Sequence, residues 1–221
     1  MHKKFVISDI HGCLKTFQRL LHQINFKPKD KLFLLGDYVN KGPNSKKVLD
    51  IIIELQTENP SHIFPLLGNH DLLLLKALKG NNQAINNISL FDNSEYFLES
   101  LEKDKKKYIH FLSALPYYIE TKKHFLVHAG FDFTQENFLK IGDKMLTIRD
   151  FPVNLDALKG KTIIHGHNPK PLEYIEEKIK MNSPVIPLDN GCVMGSKKIG
   201  MGHLLCLELK TMTLFKEKYA E

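Results

Sequence analysis

The sequence predicts an α/β protein with two sheets packed face to face and helices outside them. Three observations lead there. Four short apolar runs, residues 4–8, 32–35, 63–67 and 125–127, each end in a polar cluster: Asp9-Ile10-His11-Gly12, Gly36-Asp37, Gly68-Asn69-His70-Asp71 and His128-Ala129-Gly130. Continuous apolar runs of this length mark strands covered on both faces. The first three alternate with helical patterns, whereas from Tyr117 onward the rhythm changes to short strands at close spacing, a shift that two stacked sheets accommodate.

In chain order, residues 14–24 place Leu14, Phe17, Leu20, Leu21 and Ile24 at helical spacing, and residues 25–30 return the chain to the second strand. Asn44-Ser45 is placed to cap a second helix with Val48, Leu49, Ile52, Ile53 and Leu55 facing inward, closed by Pro60. Residues 71–78 read as a helix stopped by Gly80. Residues 80–93 are rich in Asn without a clear period, and the expectation there is a loop. Residues 95–115 read as one or two helices ended by Pro116. The expected strands of the second half are 117–120, 124–128, 162–164, 174–177, 185–188, 204–209 and 214–216.

The 221 residues fit one domain spanning 1–221, with ordinary apolar and charged content of 43% and 25%. The net charge of +6 favours anionic partners. The lysines are scattered, however, and Lys105–Lys107 and Lys122-Lys123 read as solvated faces, so no stable nucleic-acid binding is expected. Cys13, Cys192 and Cys206 show neither a zinc-type spacing nor a disulfide framework, and Cys13 and Cys192 read as packing residues. Met1-His2-Lys3-Lys4 leads directly into a strand, leaving no room for a signal sequence. No run approaches the roughly 18 apolar residues of a membrane span. The expectation is a soluble cytoplasmic protein with no membrane association.

The chemistry lies at the strand ends, where open α/β sheets bind ligands. Asp9 and His11 leave an extended backbone on the same face. Asp37 has two oxygens and can bridge two ions, while Asn69, His128 and His167 add an amide oxygen and two imidazoles. This mixed N/O set suits divalent ions such as Mn, Fe or Zn. Two such ions, about 3.5–4 Å apart, clamp the attacking and leaving oxygens of an in-line displacement at phosphorus. Taken singly, Asp9 or Asn69 would read as a helix cap and His128 as a satisfied core histidine; it is their joint occurrence that points to metal.

The motifs DIHGC, GDYVNKGP, GNHD, HAG and HGHNP, in this order from Asp9 to about Gly191, resemble the phosphoprotein-phosphatase branch of the calcineurin-like metallophosphoesterases. The resemblance implies a four-layer α/β/β/α sandwich and a single metallophosphoesterase domain. It implies that Asp9, His11 and Asp37 hold one metal and that Asp37, Asn69, His128 and His167 hold the other, with manganese first among the candidates. His70 would be the general acid facing the leaving group, and Arg149 in LTIRDF would bind phosphate through its guanidinium fork. His165, inside an apolar run two residues before His167, reads as structural support and not as a ligand.

The loop after the bridging aspartate departs from the family's D-x-x-D-R-G: here it is Asp37-Tyr38-Val39-Asn40-Lys41-Gly42. Asn40 replaces an aspartate that hydrogen-bonds the catalytic histidine. It is expected to accept a hydrogen bond from His70 but to lend the imidazolium no charge, leaving His70 less protonated. Lys41 keeps the charge of a phosphate-binding arginine and loses its bidentate geometry. By motif alone the first expectation is a metal-dependent phosphomonoesterase resembling bacterial serine/threonine protein phosphatases. The alternative is a symmetrical diadenosine tetraphosphate hydrolase, which shares the D-x-V-x-x-G-P loop and GNHDL. A metal-binding pseudoenzyme that serves as an interaction module is the third reading. The partner in each enzymatic reading is a phosphorylated substrate, phosphoprotein or nucleotide. Physiological substrate, native metal and oligomeric state stay open at this stage.

Overall fold

The computed structural model describes residues 2–91 and 95–221. Asp92 and Asn93, the end of the stretch expected as a loop, lie outside the described residues. Strand β1 (Lys4–Ile7) pairs in parallel with β2 (Lys31–Leu34), and β2 with β3 (Ile63–Pro65). The chain's last two strands, β8 (His203–Glu208) and β9 (Thr213–Lys218), extend this sheet antiparallel on the other side of β1. The order is β3-β2-β1-β8-β9. The second sheet has the order β4-β5-β6-β7, built from Tyr118–Glu120, His124–Val127, Thr162–His165 and Val185–Pro187. Only its edge strand β4 runs antiparallel to its neighbour.

Period-two alternation divides each strand's side chains between two layers. Phe5, Ile7, Leu32 and Leu34 pack beneath α1 (Leu14–Gln23) and α2 (Ser45–Glu58), which contribute Phe17, Leu20, Val48, Leu49 and Ile52. Val6, Phe33, Leu35, Leu205 and Leu207 point the other way and meet Leu126, Ile164, Ile186 and Leu188 of the second sheet. Phe125, Val127 and Ile163 face outward again, under Phe131, Met145, Leu158 and Phe151. The fold is thus α/β in four layers with two mixed sheets. The outer layer on the second sheet is thin, made of α7 (Lys144–Thr147), α8 (Leu155–Leu158) and stacked phenylalanines such as Phe133 on Phe138, 4.8 Å apart.

Three local expectations are corrected. Residues 82–91 form helix α4 (Asn82–Phe91). Its Ala84 and Ile88, four apart, are buried against the same core as α3 (Asn69–Leu78), so tertiary packing overrides the low helix propensity of its asparagines. Residues 174–177 lie inside helix α9 (Leu172–Lys180), not a strand. Leu172, Ile175 and Ile179 follow helical spacing and all join the layer between the sheets. The Asn44-Ser45 cap is not made by side chains: the Ser45 hydroxyl instead accepts the Asn40 backbone N–H at 2.9 Å. Residues 95–115 give α5 (Glu95–Leu101) and α6 (Lys105–Ala114), separated by one turn. Among the described residues no helix is long and apolar enough to cross a membrane.

Candidate metal centre

The parallel strands of both sheets point their carboxyl ends at one rim, and each strand hands over a polar side chain there. β1 leads to Asp9 and His11, β2 to Asp37, and β3 to Asn69 and His70. β5 leads to His128, β6 to His165 and His167, and β7 to Asp189. The turns are tight. His11, Asp37, Asn40, Lys41 and His167 all adopt left-handed backbone conformations with φ between 47° and 73°. Such strain costs roughly 1–3 kcal/mol per residue and persists only where surrounding contacts hold it.

Those contacts are specific. Backbone N–H groups of Ile10 and His11 both donate to the Asp37 carbonyl, at 3.1 and 2.8 Å. The Asp71 carboxylate accepts N–H bonds from Asp37 (2.7 Å), Tyr38 (3.0 Å) and Gly68 (3.0 Å), tying the β2 turn to the start of α3. Gly68 and Gly166 are required by close approach. A Cβ at Gly68 would overlap the Asp37 carboxylate, and one at Gly166 would overlap that of Asp9.

Asp37 sits between two imidazoles. Its Oδ2 lies 3.5 Å from His11 Nε2 and its Oδ1 lies 3.5 Å from His128 Nε2. Two groups able to hold a cation share it: His11, Asp37 and His70 on one side, Asp37, His128 and His167 on the other. Asn69 Oδ1 joins the second group, 2.9 Å from both His128 Nε2 and His167 Nδ1. Asp9 stands just outside both groups, its carboxylate accepting the His167 backbone N–H at 3.0 and 3.2 Å. The backbone orients the imidazoles: His11 Nδ1 donates to the Val39 carbonyl (3.0 Å) and His128 Nδ1 to that of Leu35 (2.8 Å), leaving each Nε2 for the centre. His165 is buried, its Nδ1 donating to the Gly166 carbonyl.

Electrostatics favour a cation here. Burial, then the neighbouring Asp189 and Asp37, hold the Asp9 carboxyl well above its ordinary range. Burial raises Asp37 to about 7 and Asp189 to about 6. Burial also pushes His128 down to about 4, His167 to about 3 and His11 well below the usual imidazole value. Crowded carboxylates beside neutral imidazoles are a donor set that a dication stabilises, because it offsets both the burial and the mutual repulsion. The residues therefore fit divalent metal. The Lys41 ammonium occupies part of that role, 2.9 Å from His11 Nε2, and it lowers all three carboxyls.

Asn40 reaches His70 as expected, with the opposite polarity. Its Nδ2 donates to His70 Nδ1 at 3.0 Å, while its own Oδ1 is buried without a partner. Burial, then Lys41, depresses His70 to about 3. Arg149 is exposed at the mouth, close enough for its charge to act on His167 and Asp189. Cys13 and Cys192 are buried free thiols beside one another, under the two loops that carry His11 and Asp189. Asp71 and Asp189 were missed in the sequence. Asp71 is the third residue of α3, where a carboxylate caps a helix start, and Asp189 repeats the pattern of a strand ending in a carboxylate.

The comparisons with known proteins agree with this geometry. The calcineurin-like phosphoesterase family model matches residues 3–191. A symmetrical bis(5'-nucleosyl)-tetraphosphatase of Chromobacterium violaceum is 34% identical over 144 residues, covering 64% of this chain and 48% of that protein. The asymmetrical bis(5'-nucleosyl)-tetraphosphatase PrpE of Oceanobacillus iheyensis is 26% identical over 220 residues, covering 87% of this chain and 85% of that one. The chain thus spans about half the length, or less, of the symmetrical relatives it matches. A crystal structure provisionally assigned as a diadenosine tetraphosphatase covers 100% of this chain and 95% of its own, at TM-score 0.72 and 24% identity. A serine/threonine phosphatase of Saccharomyces cerevisiae covers 100% and 81%, at TM-score 0.64 and 14% identity. At these identities the two structures speak for the fold alone. The family match over most of the chain and the shared strand-end architecture give one conclusion: this chain belongs to the calcineurin-like phosphoesterases.

Proposed function

We propose that the chain is a metal-dependent hydrolase of phosphoanhydrides, acting on a dinucleoside polyphosphate. Asp9, His11 and Asp37 would hold one divalent ion, and Asp37, Asn69, His128 and His167 the other, with manganese the first ion to test. Ions bound there would supply Lewis-acid stabilisation of charge at phosphorus and a lowered pKa for an attacking water. Arg149 and Lys41, the cations at the mouth, would bind the phosphoryl oxygens. Asp71, through its three N–H bonds, would keep Asp37 in its strained turn.

The observation that carries the reading is the Asn40–His70 contact. A neutral amide against Nδ1 lends the imidazolium no charge, and burial and Lys41 hold His70 neutral. Neutral imidazole is a poor proton donor, so a leaving group that must be protonated departs slowly. A serine or threonine alkoxide is such a group. A nucleotide phosphate departs as a stable anion with little help. The naming of the relatives as bis(5'-nucleosyl)-tetraphosphatases supports the same choice, reversing the order in which the motifs alone place the phosphoprotein and dinucleotide substrates. The test is a panel of diadenosine tetraphosphate, an aryl phosphate and phosphothreonine peptides with Mn²⁺. Dinucleotide turnover above that of the peptides is expected. Preference for the peptides would restore the phosphoprotein reading, and no metal-stimulated turnover of any substrate would leave the interaction-module reading.

A further inference from the structure

Beside the centre, a groove of about 320 Å³ runs between the segment after Arg149 and helix α9. It begins at His165, two residues before His167, and Phe151 stands 5.8 Å from the His165 ring. Its walls carry Arg149, Lys170 and Lys178 against one carboxylate, Asp150. None of these three cations forms an ion pair with a described carboxylate. Tyr174 lines the same groove and is 41% exposed. Packing does not explain this tyrosine, because α9 buries its other face through Leu172, Ile175 and Ile179. Lys178 Nζ lies 5.1 Å from the centre of the Tyr174 ring, so charge and aromatic surface are presented together.

An exposed ring among cations without carboxylate partners, in a groove that starts at Arg149 beside the centre, is the chemistry that holds a nucleotide. The base stacks on the aromatic face and the phosphates meet the cations. We infer that this groove is the subsite for the nucleoside end of the substrate, with Tyr174 stacking the base and Lys170 and Lys178 holding the phosphates that lead to Arg149. The inference rests on the nucleotide reading above and adds the residues that would select it. A phosphothreonine side chain carries no base to place on Tyr174, so the groove would also favour the nucleotide class.

The test compares wild type with Tyr174→Ala, Tyr174→Phe and Lys178→Ala, all surface changes on α9, in Mn²⁺-loaded protein. KM for diadenosine tetraphosphate should rise by about tenfold or more in Tyr174→Ala, the size of a lost base–aromatic stack. Tyr174→Phe should restore it, and aryl phosphate turnover should stay unchanged in all variants. Calorimetric titration with ADP should show the same loss of affinity in Tyr174→Ala and Lys178→Ala. Unchanged KM and unchanged ADP affinity in Tyr174→Ala, or an equal loss on aryl phosphate, would overturn the subsite. If wild type hydrolyses aryl phosphate but no dinucleotide, the proposed function fails instead, and the ADP titration alone decides whether the groove binds nucleotide.

Discussion

Position 40 concentrates the chemistry of the site in one side chain. Asn40 is fully buried, fixed at its backbone by Ser45 and in a left-handed conformation, yet its Oδ1 has no partner. A buried polar atom left unpaired costs roughly 1–3 kcal/mol, so the position is tuned for something other than stability. Asn40→Asp would place a carboxylate on His70 Nδ1, stabilise the imidazolium and raise the His70 pKa. Turnover of phosphothreonine peptides should then rise more than that of diadenosine tetraphosphate; equal gains on both would mean that Asn40 does not tune the acid. His70→Asn tests the neighbouring role. In the Asn40→Asp background it should lower kcat by about 10²–10⁴ on alkyl phosphates, the usual range for general acid catalysis; with Asn40 present, where the imidazole is neutral, it should cost less, and less still on the dinucleotide, with metal content unchanged. An ion lost from this variant would move His70 into the ligand set, where its proximity to His11 and Asp37 also allows it.

At the scale of elements, Asp71 ties the turn after β2 to the start of α3. Asp71→Ala would leave three buried N–H groups unpaired, so chemical denaturation should show a loss of about 3 kcal/mol or more. A loss under about 1 kcal/mol would show that water or neighbouring groups replace the carboxylate. The strands and the polar clusters at their ends were legible because a buried strand must be continuously apolar and a metal ligand cannot be. That contrast is local and survives in one sequence. Helix α4 was not legible, since its apolar residues stand among asparagines without a clear period, and only the facing α3 makes Ala84 and Ile88 a buried side. Residues 174–177 misled for a related reason: Tyr174 and Ile175 look strand-like alone, and Leu172 and Ile179 are needed to complete the helical stripe. At the site, the residues that gather at the rim could be read from the motifs, but the buried Asn40–His70 contact and the Asp71 clamp exist only in three dimensions.

For the whole molecule, the centre joins the two sheets, since Asp9, Asp37 and Asn69 come from one and His128, His167 and Asp189 from the other. Metal binding should therefore stabilise the entire fold by mass action. Thermal unfolding of EDTA-treated protein should occur at lower temperature than with Mn²⁺, and an unchanged midpoint would argue that the sheets are not linked through the centre. The central claim is that Asp37 is shared by two ions. The most direct measurement is Mn²⁺ binding stoichiometry by equilibrium dialysis for wild type and Asp37→Asn. Two tightly bound ions per chain are predicted for wild type, with loss of at least one, together with activity, in Asp37→Asn. Two tightly bound ions retained by Asp37→Asn, with near-normal turnover, would contradict it.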